Sequence, residues 1–227
     1  MVLSTGMVRS VNVGRARTFD YKGRTAASAI WKYPVSGPVP LRGVNFDGDE
    51  QADRTVHGGP DKAVYSYSVE DYGWWGEQLG RSPEFGEFGE NLTTEGLNLS
   101  DALVGEQWEV GTTVLEVSEP RMPCWKLAAR MSDPTFPRLF TKASRPGTYL
   151  RIVKEGEIGE GDEIRVISRP EHDLSVGDVF RIYAADRHEA GRLLEVPEVS
   201  DSWKLWAGDW LARTAERETA RAEPGCC

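Results

Sequence analysis

Cysteine and histidine are scarce, with three of each in 227 residues. Three thiols cannot form a disulfide framework, no Cys-x-x-Cys offers a dithiol, and there are too few cysteines for an iron–sulfur cluster. Cys226 and Cys227 end the chain after Pro224-Gly225 and read as an exposed, frayed tail. Cys124 is then the one cysteine inside the fold, which fits a reducing cytoplasm. Long apolar runs are missing too. No stretch approaches the ~18 apolar residues of a membrane span, and Met1–Gly6 lacks the apolar core of a signal peptide. A soluble cytoplasmic protein without a membrane partner is expected. Blocks of positive charge are also absent. Lys and Arg total 27 against 36 Asp and Glu, a net charge of −9, which argues against nucleic acid as a partner. Finally, Gly156, Gly159 and Gly161 do not give Gly-x-Gly-x-x-Gly after a strand, so no dinucleotide site is expected there.

What remains is a globular composition, 39% hydrophobic and 28% charged. The patterning reads as mainly β with some α, an α+β chain. Alternation over Val8–Val13 predicts a strand that ends at Gly14. Ser28–Tyr33 and Val39–Arg42 are further candidates, and the prolines between them suggest edge strands and corners. Ala63–Tyr67 predicts a strand. Val69–Leu79 predicts a helix with Tyr72, Trp75 and Leu79 on its core face. Gln107–Val110 and Thr113–Val117 predict a hairpin. Thr148–Val153 and Glu163–Ile167 close the β part, after a short helix or arm over Pro134–Ala143. Beyond Arg169-Pro170 the composition turns helical. Ser175 could cap Val176–Tyr183, Asp186 could cap Arg187–Leu194, and Asp201 or Ser202 could start a helix with Trp203, Trp206, Trp210 and Leu211 on one face. The expected division is residues 1–168, a small three-helix domain over 171–213, and a flexible tail over 214–227.

The chemistry concentrates in three stretches. In Glu119-Pro120-Arg121-Met122-Pro123-Cys124-Trp125-Lys126, two prolines stiffen the approach to Cys124. Good helix formers follow it, which puts the thiol at a helix N-terminus. There the dipole, with Arg121 and Lys126, favours a thiolate, both a nucleophile and a soft metal ligand. A lone cysteine is more often a small buried hydrophobe, and the prolines and cations argue against that here. In Arg54-Thr55-Val56-His57-Gly58-Gly59-Pro60, the paired glycines permit close backbone approach to a ligand, and their N–H groups could nest an anion beside His57. A plain hairpin loop would use the same residues. In Phe88–Gly96, Asn91, Thr93 and Thr94 could hold a polar heterocycle, although such residues more commonly cap turns.

Taken as Thr55–Tyr65, Phe88–Leu97 and Glu119–Lys126, these three motifs together resemble the MOSC domain, the molybdenum-cofactor-sulfurase C-terminal type, in its YiiM-like branch. The resemblance runs from about Met7 to Ser168, and the stretch from Asp173 to Ala212 is similar to the three-helix domain of that branch. It implies a distorted β-barrel around a molybdopterin cleft. Cys124 would be the protein thiolate on molybdenum, and His57 would lie near cofactor or substrate. Gly58, Gly59, Asn91, Thr93, Thr94, Arg121, Lys32, Ser36 and Arg54 would contact the pterin or its phosphate. The chain departs from some members in having Val56, not a second histidine, before His57. The implied activity is reduction of N-hydroxylated compounds, with oxygen atom transfer from N–OH to molybdenum giving amine and water. An alternative is a non-catalytic molybdopterin or sulfur carrier, related to the pyridoxal-phosphate-linked sulfurases. Since no NAD(P)H site is expected, electrons would come from a separate donor, a flavoprotein or a haem or iron–sulfur carrier.

Overall fold

A computed structural model describes residues 5–52 and 58–222, with side chains to Thr219. The strands are β1 (Thr5–Val13), β2 (Arg17–Tyr21), β3 (Arg24–Ser28), β4 (Tyr33–Val35), β5 (Val39–Arg42), β6 (Asn45–Phe46), β7 (Val64–Ser68), β8 (Leu92–Glu95), β9 (Gln107–Val110), β10 (Thr113–Pro120), β11 (Thr148–Lys154), β12 (Gly156–Ile158) and β13 (Glu163–Ser168). The α-helices are α1 (Val69–Leu79), α2 (Trp125–Arg130), α3 (Phe136–Ala143), α4 (Val176–Ala184), α5 (Arg192–Glu195) and α6 (Asp201–Ala222).

Seven strands close into a barrel in the order β13-β9-β10-β11-β7-β8-β1, because β1 pairs back onto β13 with Gly6 opposite Ile164. Closure leaves the barrel sheet with no free edge of its own, apart from β4 hanging off β1. The inward residues Val8, Val11, Leu92, Leu115, Leu150 and Ile164 form its core. Among the described residues, β7 and β8 are the one parallel strand pair. A parallel pair needs a crossover, and α1 supplies it. Ser68 starts α1 by accepting from the Asp71 N–H at 3.0 Å, and Gly80 ends it with φ 64°.

A second core, rich in aromatic rings, lies between β7, α1 and α3. Trp75 stacks on Phe140 with centroids 6.1 Å apart and donates its indole N–H to the Tyr67 hydroxyl at 2.7 Å. The β2–β3 hairpin is not bonded to the barrel sheet. It packs by Phe19 on Trp31 at 4.7 Å and on Trp125 at 5.3 Å.

The C-terminal helices bring their own core, including Leu174, Val179, Ile182, Leu193 and Trp203. Ser175 caps α4 in a capping box with Asp178. Ser175→Ala is expected to lower stability by about 1 kcal/mol, ~2–4 °C in melting temperature; an unchanged melting curve would contradict the cap. Three expectations need correction. Asp186 does not cap a helix over Arg187–Leu194. Its carboxylate is taken by Arg181, and a 3-10 turn over Arg187–Glu189 precedes the short α5. The stretch from 214 to 222 is not a loose tail but the continuation of α6, rich in Ala, Arg and Glu with no breaker before Pro224. Ser28–Tyr33 is not one strand, since β3 ends at Ser28 and residues 29–32 run irregularly to β4. Cys226 and Cys227 lie outside the described residues.

Candidate active site

One cleft, about 690 Å³ including space open to solvent, is bounded by the irregular segment 29–32, the Asp49–Ala52 loop, the start of β7 and the Arg121–Lys126 stretch. Its position follows from glycine. The backbone of Ile30 to Lys32 presses so closely on Gly86 and Gly89 that a Cβ at Gly86 would stand 2.5 Å from the Lys32 carbonyl oxygen, and one at Gly89 would stand 2.7 Å from the Ile30 side chain. Both glycines also have positive φ, at 86° and 78°, which side chains rarely adopt.

Cys124 lines this cleft, half-buried, at the N-cap of α2, where its carbonyl accepts from the Leu127 N–H at 3.0 Å. Arg121 also lines it, 6% exposed. The Arg121 guanidinium donates to the Phe88 carbonyl and lies 5.0 Å from the Tyr65 ring centroid. Burial works to lower its pKa, but the facing Tyr65, Tyr149 and Cys124 prevail and hold it above the ordinary arginine value. Tyr149 is pushed up to about 12, first by burial and further by Glu119 and Cys124, against Arg121, so its phenol stays protonated at neutral pH.

Lys32 lines the cleft as one half of a buried ion pair with Asp49. Burial lowers its pKa despite the partner. Asp49 is itself held by the Gly14 N–H at 2.8 Å and by the Asn91 amide at 2.9 Å. The Asn91 side-chain oxygen accepts from the Tyr65 N–H at 3.2 Å. Asn91 therefore lines the cleft while its side chain braces the Lys32–Asp49 pair.

Other expected contacts lie elsewhere. Thr93 and Thr94 are wholly buried in the barrel wall. The Thr93 hydroxyl donates to Glu90 at 2.9 Å and accepts from the Asn12 amide at 3.1 Å, and Thr94 meets the Ser66 hydroxyl at 3.3 Å. Neither lines the cleft, because each hydroxyl is spent within the wall. Ser36 is exposed on the turn beyond β4, away from the cleft lining. The Gly59 N–H donates to the Gln51 side chain at 2.9 Å, and a Cβ on Gly58 would stand 2.5 Å from the same Gln51 oxygen. The close approach these glycines allow is to Gln51, which lines the cleft in their place. Arg54 and His57 lie outside the described residues. Sequence reading gave no role to Asp49, Gln51, Lys62, Tyr65 or Tyr149, although Lys62 and Tyr65 stand within the Thr55–Tyr65 stretch that carries the family resemblance.

Behind the wall, Glu90 is fully buried. One carboxylate oxygen accepts from the Tyr72 and Thr93 hydroxyls and from the Gly86 N–H, and the other has no hydrogen-bond partner among the described residues. Burial raises its pKa. A raised carboxyl stabilises the fold below the unfolded value, and that contribution is lost as pH rises through the folded value. Relative to wild type, Glu90→Gln should therefore gain stability as pH climbs from about 4.5. A pH-independent difference in melting temperature would contradict this.

The MOSC domain model matches residues 53–165. YflK of Bacillus subtilis (strain 168), itself uncharacterized, is 36% identical over 200 residues, covering 87% of this chain and 90% of that protein. The chain belongs to the MOSC family. YiiM of Escherichia coli (strain K12) is 32% identical over 182 residues, 78% of this chain and 81% of that one. The crystal structure of YiiM from Geobacillus stearothermophilus superposes with a TM-score of 0.75 at 30% identity, over 91% of this chain and 99% of its own. A protein of Gibberella moniliformis (strain M3125 / FGSC 7600), called a reductase, is 33% identical over 86% of this chain but only 35% of its own length. The match includes the MOSC barrel and reaches into the C-terminal helices.

Proposed function

We infer that this MOSC protein is a molybdenum-cofactor-dependent reductase of N-hydroxylated compounds. The observation that carries the reading is Cys124, a half-buried thiol at a helix N-cap, opening on a cleft whose wall also holds Arg121, Lys32, Lys62 and Lys126. A thiolate is a soft ligand, and the cations suit an anionic phosphate. Among the described residues no cluster of three or more His, Cys, Asp or Glu side chains could hold a metal, so Cys124 would be the ligand offered and an organic cofactor would bring the others. The residues present therefore fit a pterin-borne molybdenum.

When bound, such a cofactor supplies two-electron chemistry at the metal. The chain supplies the setting. Arg121 is fixed by the Phe88 carbonyl and the aromatic rings as a permanent cation beside the thiol. The protonated Tyr149 hydroxyl can donate a hydrogen bond to an N–OH oxygen. The Lys32–Asp49–Asn91 unit holds the opposite wall rigid. Two electrons and two protons convert N–OH to N–H and release water. We assign electron supply to a separate protein, and the activity to the reducing cytoplasm. The name of the fungal protein called a reductase is in keeping with a reductive activity, and the match spans 35% of that longer chain. No helix among the described residues is long and apolar enough to cross a membrane. The isolated chain is expected to reduce N-hydroxylaminopurine with reduced viologen but not with NADH or NADPH alone. Turnover driven by NAD(P)H alone would refute the donor assignment. No turnover with viologen by molybdenum-loaded protein would refute the reductase.

A further inference from the structure

A buried carboxylate joins the C-terminal helices to the cleft wall. Glu119, 3% exposed, stands near the end of β10. One of its oxygens accepts from the Ser200 hydroxyl at 2.9 Å, just before α6. The other is paired with the Lys62 ammonium at 2.9 Å. Lys62 ends the turn that follows Gly58-Gly59, and it lines the cleft. Two neighbouring links bind the same parts. Arg151 pairs with Asp61 of that turn and donates to the Glu198 carbonyl at 3.0 Å. Met122, another cleft residue, packs against the core of the C-terminal helices. Residues Glu198 to Ser200 thus grip both the turn that carries Lys62 and the strand that leads to Cys124.

Lys62 differs from the other paired cations of the cleft. Lys32 is buried against Asp49, and Arg121 is committed to a carbonyl and to rings. An ammonium has three donors, and among the described residues only Glu119 takes one from Lys62. Its side chain keeps 21% of its surface open, while Glu119 behind it keeps 4%. The pair is closed at the carboxylate end and open at the ammonium end. We propose that Lys62 binds an oxyanion of the cleft ligand, of the phosphate class, and that the C-terminal helices position it through Ser200 and Glu119. The proposal rests on the assignment of this cleft as the ligand site. Lys62 touches the ligand, and Glu119 and Ser200 are positioning residues.

The test uses the full chain made in a host unable to make molybdopterin, titrated with inorganic phosphate. Lys62→Met should weaken phosphate binding by about tenfold or more, and Lys62→Arg should retain most of it. Ser200→Ala should weaken it roughly three- to tenfold, the worth of one hydrogen bond, and Ser200→Thr should restore it. All four variants should keep the wild-type circular dichroism. Wild-type affinity in a folded Lys62→Met, or no phosphate binding by wild type, overturns the proposal. Wild-type affinity in Ser200→Ala overturns the positioning role. Chains made in a competent host identify the source of the anion. Loss of molybdenum from Lys62→Met points to the cofactor's phosphate. Unchanged molybdenum with a raised KM and unchanged kcat for an N-hydroxylated nucleotide, but not for its free base, points to the substrate's. If Lys62-dependent phosphate binding holds and no preparation contains molybdenum, the proposal stands and the reductase reading falls.

Discussion

Cys124→Ser is expected to fold normally and to lose molybdenum-dependent turnover by at least the ~100-fold that changes in a metal's outer shell can produce. Cys124 belongs to none of the three hydrophobic cores, and its extended backbone, φ −131° and ψ 175°, is open to any residue. Exchanging one γ atom at a half-buried position outside the cores is expected to cost no more than about 1 kcal/mol, well short of unfolding the chain. Serine keeps the shape but offers a hard, protonated oxygen where a soft thiolate is needed. Two measurements decide it: molybdenum per chain, and viologen-driven turnover at equal concentrations of folded protein. A variant with normal metal and normal rate would remove Cys124 from the ligand role.

Cutting the chain before Glu171 should have the second large effect, and here the expected outcome is loss of the folded barrel, not merely loss of a docking element. The two parts are bonded and interpacked. Val104 N–H donates to the Leu174 carbonyl at 3.1 Å, Val176 N–H to Ala102 at 2.9 Å, and Gly177 N–H to Ser100 at 2.8 Å. Val176 sits in the barrel core, and Val104 sits in the core of the C-terminal helices. Truncation would leave these donors and acceptors unpaired and would expose apolar surface on the barrel. The truncated chain should show no cooperative melting transition near that of the full chain, and it should be inactive with viologen as well as with any protein donor. A soluble, viologen-active barrel would show instead that the helices serve only an outside partner.

The features legible in the sequence were those fixed by near neighbours. Ser68, the spacing of Tyr72, Trp75 and Leu79, and Gly80 delimit α1 at Val69–Leu79, as expected. The β9–β10 hairpin and the placing of Cys124 before a helix rest on equally local signals. The features that escaped depend on distant pairing. Closure of β1 on β13 joins the two ends of the barrel. The Lys32–Asp49–Asn91 brace unites residues 17 and 42 positions apart. Thr93 and Thr94 looked like ligand contacts because their hydroxyls are polar, but Asn12, Glu90 and Ser66, remote or unremarkable in sequence, already satisfy them. Segment 29–32 has strand-forming residues, yet Gly86 and Gly89 let it leave the sheet and form a cleft wall. Molybdenum itself was suggested only by the family motifs, since the geometry provides a thiol and cations but, among the described residues, no group of three or more His, Cys, Asp or Glu side chains that could hold a metal.

The most direct test of the central claim is elemental analysis of the freshly purified full chain from a host that makes molybdopterin, with Cys124→Ser prepared alongside. The account predicts near-stoichiometric molybdenum in wild type and a large loss of it in the variant. Molybdenum absent from both, or present equally in both, would contradict it.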